Sequence, residues 1–140
     1  MKKNLWIGIG IAVAVILAAV FIVNQTKREL REIRIGVITP LTGPAGKYGI
    51  RTKWGIDLAC DEINKGAKRK VFLIYEDSKG EPKEAVNALR KLITVDKVKV
   101  IIGAVTSSEF LAMCPIAKKN RVILFTPSAS NPKISRAGDY

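Results

Sequence analysis

The fold is decided by residues 33–44, which read IRIGVITPLTGP. The near-continuous apolar run over Ile33–Thr39 predicts a buried β-strand, and Pro40 ends it. The glycine-rich segment Leu41–Gly49 then predicts a loop. Because the run does not alternate between apolar and polar residues, it is typical of a parallel sheet that helices cover on both faces.

Strand-like and helix-like segments alternate through the rest of the chain. Three further strands are predicted from short apolar runs at Lys70–Glu76, Val98–Gly103 and Val122–Phe125. Three helices are predicted from apolar residues at helical spacing, at Arg51–Lys65, Pro82–Ile93 and Ser107–Lys119. Gly66 is expected to follow the end of the first helix, and Pro115 to kink or shorten the last. This order predicts an α/β fold with a doubly wound parallel sheet and strand order 2-1-3-4.

The amino terminus has a different character. Leu5–Val23 is a run of 19 residues without a polar side chain, and as a helix it would span about 28 Å, close to the hydrocarbon core of a bilayer. The run ends with bulky residues, Phe21-Ile22-Val23-Asn24, where signal peptidase requires small ones. We predict an uncleaved membrane anchor within residues 1–25, with a cleaved signal peptide as the alternative. A linker over residues 26–32 and the α/β region over residues 33–140 follow.

Composition excludes several classes of function. The 140 residues contain no His and two Cys, which excludes His-based catalysis, His-ligated metal sites and a disulfide framework. The formal net charge is +12. The basic clusters Lys68–Lys70 and Lys118–Arg121 fall at predicted helix-to-strand corners with no aromatic residue interleaved. We therefore expect a solvated surface or contact with anionic lipid there, and no nucleic acid.

A ligand site is expected at the carboxyl ends of the strands, where the strand order reverses. The loops after strands 1, 3 and 4 meet there, and they are rich in hydroxyl groups and poor in charge. Their residues are Thr39, Thr42, Gly43 and Tyr48, then Thr106, Ser107 and Ser108, then Thr126, Ser128, Ser130 and Asn131. Thr106-Ser107-Ser108-Glu109 begins a helix whose amide groups can bind a carboxylate. The same four residues fit a capping box with Thr106 at the N-cap, so both roles remain open.

Enzyme signatures are weak. The glycine-rich residues 43–49 match neither the dinucleotide fingerprint nor the Walker A loop. We expect no enzyme, no cofactor and no metal. An enzyme on a flavodoxin-like sheet, with a phosphate at residues 43–49, is the less favoured alternative.

Several motifs, taken in order, resemble the leucine/isoleucine/valine-binding protein family. These are the type I periplasmic solute-binding proteins of ABC transporters. The motifs are Ile33–Pro44, Gly55–Ala59, Asp61–Asn64, Tyr75–Ser78, Ile101–Ser108 and Thr126–Pro132. The resemblance extends over residues 33–140.

The resemblance implies a two-lobed fold that closes on a ligand, of which residues 33–140 supply the first part of the amino-terminal lobe and no second lobe. It implies that Ser107 and Ser130 bind the ligand carboxylate, that Ser128 offers its backbone to the head group, and that Tyr48 lies over the ligand. Thr106 is the fifth expected ligand residue.

The implied function is extracytoplasmic solute binding for an ABC transporter. The expected ligand is a branched-chain amino acid or a similar small carboxylate or amide. The expected partners are the ABC permease and the membrane, the latter through residues 5–23, which would hold the domain at the cell membrane on its extracytoplasmic side. The alternative is a ligand-sensing receptor ectodomain with the same fold.

Overall fold

The computed structural model describes residues 13–24 and 32–137. Residues 13–24 form helix α1. The following elements are β1 (Glu32–Thr39), α2 (Gly46–Gly66), β2 (Lys70–Asp77), α3 (Pro82–Thr94), β3 (Val100–Ile102), α4 (Ser107–Asn120), β4 (Ile123–Phe125) and a 3-10 helix at Pro132–Arg136. The predicted alternation of strands and helices is confirmed.

The four strands form one parallel sheet in the order β2-β1-β3-β4. Strand β1 lies between two neighbours, and its Val37 pairs with Tyr75 of β2 and with Ile102 of β3. This central position explains why the sequence of β1 is apolar on both faces. The predicted order 2-1-3-4 is confirmed.

Helices cover both faces of the sheet, as a doubly wound fold requires. Gly36 of β1 faces α3, because a Cβ at this position would lie 2.8 Å from Leu92 Cδ1. Thr39 faces α2, because its Oγ1 would lie 2.9 Å from a Cβ at Gly49. The main core lies on the α3 side and contains Ile38 and residues of α3, β3 and α4.

Several element boundaries differ from the predicted ones. Helix α2 begins at Gly46 and not at Arg51, so the loop after β1 is shorter than predicted. Gly66 is the last residue of this helix and Ala67 continues in extended conformation, so the expectation that Gly66 follows the helix end is wrong. Helix α4 continues through Pro115 to Asn120 and is not shortened.

The predicted anchor, Leu5–Val23, includes residues 5–12, which lie outside the described residues. In the described part of the chain, no helix is both long enough and apolar enough to cross a membrane. The anchor therefore stays a prediction.

Candidate ligand-binding site

The loops after β3 and β4 are joined by hydrogen bonds at the carboxyl end of the sheet. Thr126 Oγ1 donates to the carbonyl of Ala104 at 2.8 Å, and Ser128 Oγ donates to the carbonyl of Val105 at 2.9 Å. We call residues 103–108 and 126–131 the β3–β4 loop pair. These bonds fix the relative positions of the two loops, so that any ligand meets a preformed surface.

Thr106 caps helix α4, and the predicted capping box is confirmed. Its Oγ1 accepts a hydrogen bond from the Glu109 amide at 3.4 Å and donates to Glu109 Oε2 at 2.5 Å. The amide of Thr106 donates to the same carboxylate at 3.2 Å. Both donors of Thr106 are therefore engaged within the chain, and the buried Glu109 carboxylate holds the start of the helix.

Ser107 has donors left for a ligand. Its Oγ accepts a hydrogen bond from the Asn131 amide at 3.2 Å, which leaves its own hydroxyl hydrogen available. The amides of Ser107 and Ser108 belong to the first turn of α4, where no helical carbonyl is in reach. The positive end of the helix dipole lies at the same place. This arrangement favours an anion beside Ser107.

The loop after β4 presents Ser128 and Ser130 to solvent. Thr126 Oγ1 accepts hydrogen bonds from the amides of Ser128 and Ala129, at 3.3 and 2.9 Å, and so folds the loop into a turn. The Ser128 hydroxyl is engaged with the carbonyl of Val105 and is not free to donate to a ligand. The Ser130 hydroxyl has no hydrogen-bond partner among the described residues.

Tyr48 lies on a different element from the other predicted residues. It is in the first turn of α2, and it is 55% exposed. Lys47 Nζ lies 5.4 Å from the centre of its ring. Within the described parts of the chain, no hydrogen bond or ring contact joins Tyr48 to the β3–β4 loop pair. The structure thus brings together four of the five predicted residues.

The loops after β1 and β2 are joined by one carboxylate, that of Asp77, a residue that the sequence did not predict as part of the site. Asp77 Oδ1 accepts hydrogen bonds from the amides of Leu41 at 2.8 Å, Thr42 at 3.3 Å and Lys79 at 2.8 Å. Its Oδ2 accepts from Thr42 Oγ1 at 2.5 Å. Burial raises the pKa of Asp77, but these hydrogen bonds outweigh it and hold the pKa below its usual value. The position of Asp77 at a strand end, before a turn with Gly80, is the signal that could have indicated such a role.

No group of three or more His, Cys, Asp or Glu side chains in the described residues is arranged to hold a metal ion. The polar groups at the carboxyl end of the sheet are hydroxyls, amides and two carboxylates, those of Asp77 and Glu109, which both accept hydrogen bonds from the chain itself. Such groups suit a small polar organic ligand.

Residues 32–139 match the family model described as periplasmic binding protein. The chain belongs to the periplasmic binding protein family. The resemblance inferred from the sequence motifs is confirmed.

Individual relatives agree with this assignment. The Leu/Ile/Val-binding protein BraC3 of Rhizobium johnstonii is 38% identical over 110 residues, which are 76% of this chain and 30% of the relative. The branched-chain amino acid transporter substrate binding protein LivJ of Streptococcus pneumoniae, solved with isoleucine, has a TM-score of 0.74 and 31% identity over 78% of this chain. A solute binding protein of an ABC transporter from Rhodopseudomonas palustris, solved with 3,4-dihydroxybenzoic acid, has a TM-score of 0.72 and 26% identity over 77% of this chain.

The chain spans about a third of the length of these relatives: 30% of BraC3, 32% of LivJ and 30% of the Rhodopseudomonas protein. The similarity to the solved structures extends over the parallel α/β sheet described above. It therefore supports the fold of residues 32–137.

Proposed function

We propose that this chain contributes the first part of the amino-terminal lobe of an extracytoplasmic solute-binding protein that serves an ABC transporter. The observation that carries the proposal is the β3–β4 loop pair, in which Ser107 and the first turn of α4 present unengaged donors at a helix amino terminus. In this proposal the chain binds its ligand and catalyses no reaction.

The ligand is a small carboxylate. Ser107 donates its hydroxyl and amide to the carboxylate, and Ser130 donates its hydroxyl and amide from the facing loop. Ser128 accepts from the ligand head group through its backbone carbonyl, and Tyr48 covers the ligand from the first turn of α2. Thr106, whose donors are engaged with Glu109, contributes by holding the helix start in place.

The class of ligand follows from what unlike relatives share. One relative was solved with isoleucine and another with 3,4-dihydroxybenzoic acid, and these two molecules have a carboxylate in common. We assign recognition of the carboxylate to the β3–β4 loop pair, and selection of the rest of the molecule to a second lobe. A branched-chain amino acid is the first ligand to test, because BraC3 and LivJ are both named for such ligands.

The proposed placement has three parts. Residues 1–25 anchor the protein in the cell membrane through the apolar run at 5–23. Residues 26–32 link the anchor to the lobe. The lobe at 33–140, completed by a second lobe, faces the extracytoplasmic side and delivers ligand to the permease.

The test is Ser107→Ala in the two-lobed protein, with Ser108→Ala as the matched control. Losing one hydrogen bond to a charged group costs ~1.5–3 kcal/mol, which is a loss of roughly 10–150-fold in leucine affinity. Ser108 is exposed, and its hydroxyl lies 3.2 Å from Thr106 Oγ1, so its removal should change affinity less than about threefold. Titration calorimetry measures affinity, and a thermal melt measures stability. A Ser107→Ala variant that loses stability but keeps its affinity would contradict the assignment.

A further inference from the structure

Unpaired cations are concentrated at the amino end of the sheet, opposite the candidate ligand site. In a parallel sheet every helix-to-strand connection arrives at this end. Three such connections follow α2, α3 and α4. They and the last turn of α4 carry six exposed cations whose side chains make no ion pair with another described residue: Lys68, Arg69, Lys97, Lys99, Lys119 and Arg121. We call these six residues the basic end.

Few acidic groups balance this charge. The topology puts four acidic residues nearest to the basic end: Glu32, Asp61, Glu62 and Asp96. Two ion pairs are described elsewhere, and neither involves these four acidic residues. Lys53–Asp57 lies within α2, and Lys91–Glu76 joins α3 to β2. The cations at the basic end therefore face solvent with a net positive charge.

Stabilisation of helix ends accounts for other cations but not for most of these. Lys70 donates a hydrogen bond to the carbonyl of Asn64 in the last turn of α2, and Lys118 lies in the last turn of α4. Both positions favour a cation because of the helix dipole. Four members of the basic end, Lys68, Arg69, Lys97 and Lys99, lie beyond the helices altogether.

The basic end is also the end at which the chain enters the sheet. Strand β1 begins at Glu32, and the last described residue of α1 is Asn24. The intervening residues span at most about 28 Å even when fully extended. The described side chains of α1 are exposed, and they include Val13, Leu17 and Phe21. A short linker, with Lys27, Arg28 and Arg31 in it, thus ties the basic end to an apolar helix.

We propose that the basic end, which lies at the opposite end of the sheet from the candidate ligand site, binds the surface of an anionic phospholipid bilayer. Exposed Lys and Arg side chains attract anionic headgroups over about one Debye length, roughly 10 Å. The short linker keeps the basic end within reach of the bilayer that holds α1. This inference rests on the proposed membrane placement of residues 5–23, and it does not depend on the identity of the ligand.

The experiment compares the full chain with two triple variants of equal net charge. The test variant is Lys68→Gln, Arg69→Gln, Lys119→Gln. The matched control is Arg51→Gln, Lys83→Gln, Lys133→Gln, which removes three exposed cations nearer the carboxyl end of the sheet. Binding is measured to phosphatidylcholine vesicles with and without phosphatidylglycerol. The unchanged chain should bind the anionic vesicles more tightly than the neutral ones. In the test variant the ratio of the two affinities should fall about fivefold for each charge removed. The control variant should retain the preference to within about twofold.

Equal losses in the two variants would show that only net charge matters and would overturn the proposal. So would the absence of any preference in the unchanged chain, or tighter binding to duplex DNA than to anionic vesicles at the same salt concentration. Failure to bind neutral vesicles would instead contradict the anchor, so the two proposals fail in different ways.

A second readout needs no variant. When the unchanged chain is bound to anionic vesicles, acetylation by an amine-reactive reagent should be slower at Lys68, Lys97, Lys99 and Lys119 than at Lys83 and Lys133. Mass spectrometry measures each site. Protection should disappear at about 1 M salt, where the Debye length is roughly 3 Å. Equal rates at all six lysines would overturn the proposal.

Discussion

The carboxyl end of the sheet has two halves that are held together in different ways. In the β1–β2 half, a single carboxylate, Asp77, accepts the amides of Leu41, Thr42 and Lys79 and the Thr42 hydroxyl. In the β3–β4 half, neutral hydroxyls join one loop to the other. The buried Glu109 carboxylate accepts hydrogen bonds from the amide and the hydroxyl of Thr106 and from no other group in the described residues.

This difference indicates where an anionic ligand can bind. The amides of the β1–β2 half already surround a negative charge, so a second carboxylate there would meet repulsion and few free donors. In the β3–β4 half the Ser107 hydroxyl hydrogen and the amides of Ser107 and Ser108 remain unengaged, whereas the Glu109 amide donates to Thr106. The β1–β2 half therefore joins two loops through one carboxylate, and the β3–β4 half holds the candidate site.

The largest effect is expected from Gly49, where α2 approaches the end of β1. A Cβ at this position would lie 1.9 Å from the carbonyl oxygen of Pro40, so Gly49→Ala should lower the free energy of unfolding by about 3 kcal/mol or more. Gly55 in the same helix faces open space, since a Cβ there would meet no neighbouring atom within 4 Å. Gly55→Ala should therefore raise stability by about 0.5–1 kcal/mol through helix propensity. Urea denaturation followed by circular dichroism measures both; equal effects would contradict the close approach.

The next-largest loss of stability is expected from Asp77, whose carboxylate joins the loops after β1 and β2. Asp77→Ala removes the acceptor of four hydrogen bonds and should cost about 2–4 kcal/mol of unfolding free energy. Asp77→Asn is the matched control, because its Oδ1 still accepts the three backbone amides, and we expect a cost of about 1 kcal/mol. Similar losses in the two variants would show that the charge, and not the acceptor geometry, holds the loops.

The same residue gives a pH dependence. The pKa of Asp77 is lower in the folded protein than its unfolded value of about 3.9. Its contribution to stability is therefore complete above about pH 5, and it is lost as the pH falls through the unfolded value and then through the lowered folded value. Denaturation curves between about pH 2 and 6 should show this loss in the unchanged chain, and a smaller one in Asp77→Asn. An identical pH profile for the two would contradict the assignment.

A smaller effect is expected in the β3–β4 half. Thr126→Val keeps the shape of the side chain but removes the donor to Ala104 and the acceptor for the amides of Ser128 and Ala129. We expect a loss of about 1–3 kcal/mol. Thr126→Ser retains the hydroxyl and should lose less than about 1 kcal/mol. If the two variants melt at the same temperature, the hydroxyl does not join the loops.

Much of the fold was predictable because it depends on local patterns. The apolar run of β1, the position of Pro82 and the Thr106–Glu109 capping box each specify their structure within a few residues. The helix limits that were predicted wrongly depend on longer contacts. Helix α2 begins at Gly46 because glycines let its first turn lie against the end of β1, and no periodic apolar pattern marks that turn.

The residue types of the candidate site were predictable, but the role of each hydroxyl was not. The sequence indicates a cluster of hydroxyls in the loops after β3 and β4. Which hydroxyl fastens a loop and which remains free depends on contacts between residues more than 20 positions apart, such as Ser128 with Val105. For the same reason the strand-end position of Asp77 does not by itself reveal its partner Leu41, which lies 36 positions away.

The most direct test of the two-halves comparison is an amide ¹H–¹⁵N titration of the 140-residue chain with leucine, in a non-ionic detergent. We expect weak binding, on the order of millimolar, because one lobe desolvates the ligand only in part. The amides of Ser107, Ser108 and Ser130 should shift with leucine and not with isoamylamine, which lacks the carboxylate. The amides of Leu41, Thr42 and Lys79 should stay unchanged. Shifts centred on those three amides, or equal shifts with isoamylamine, would contradict the account.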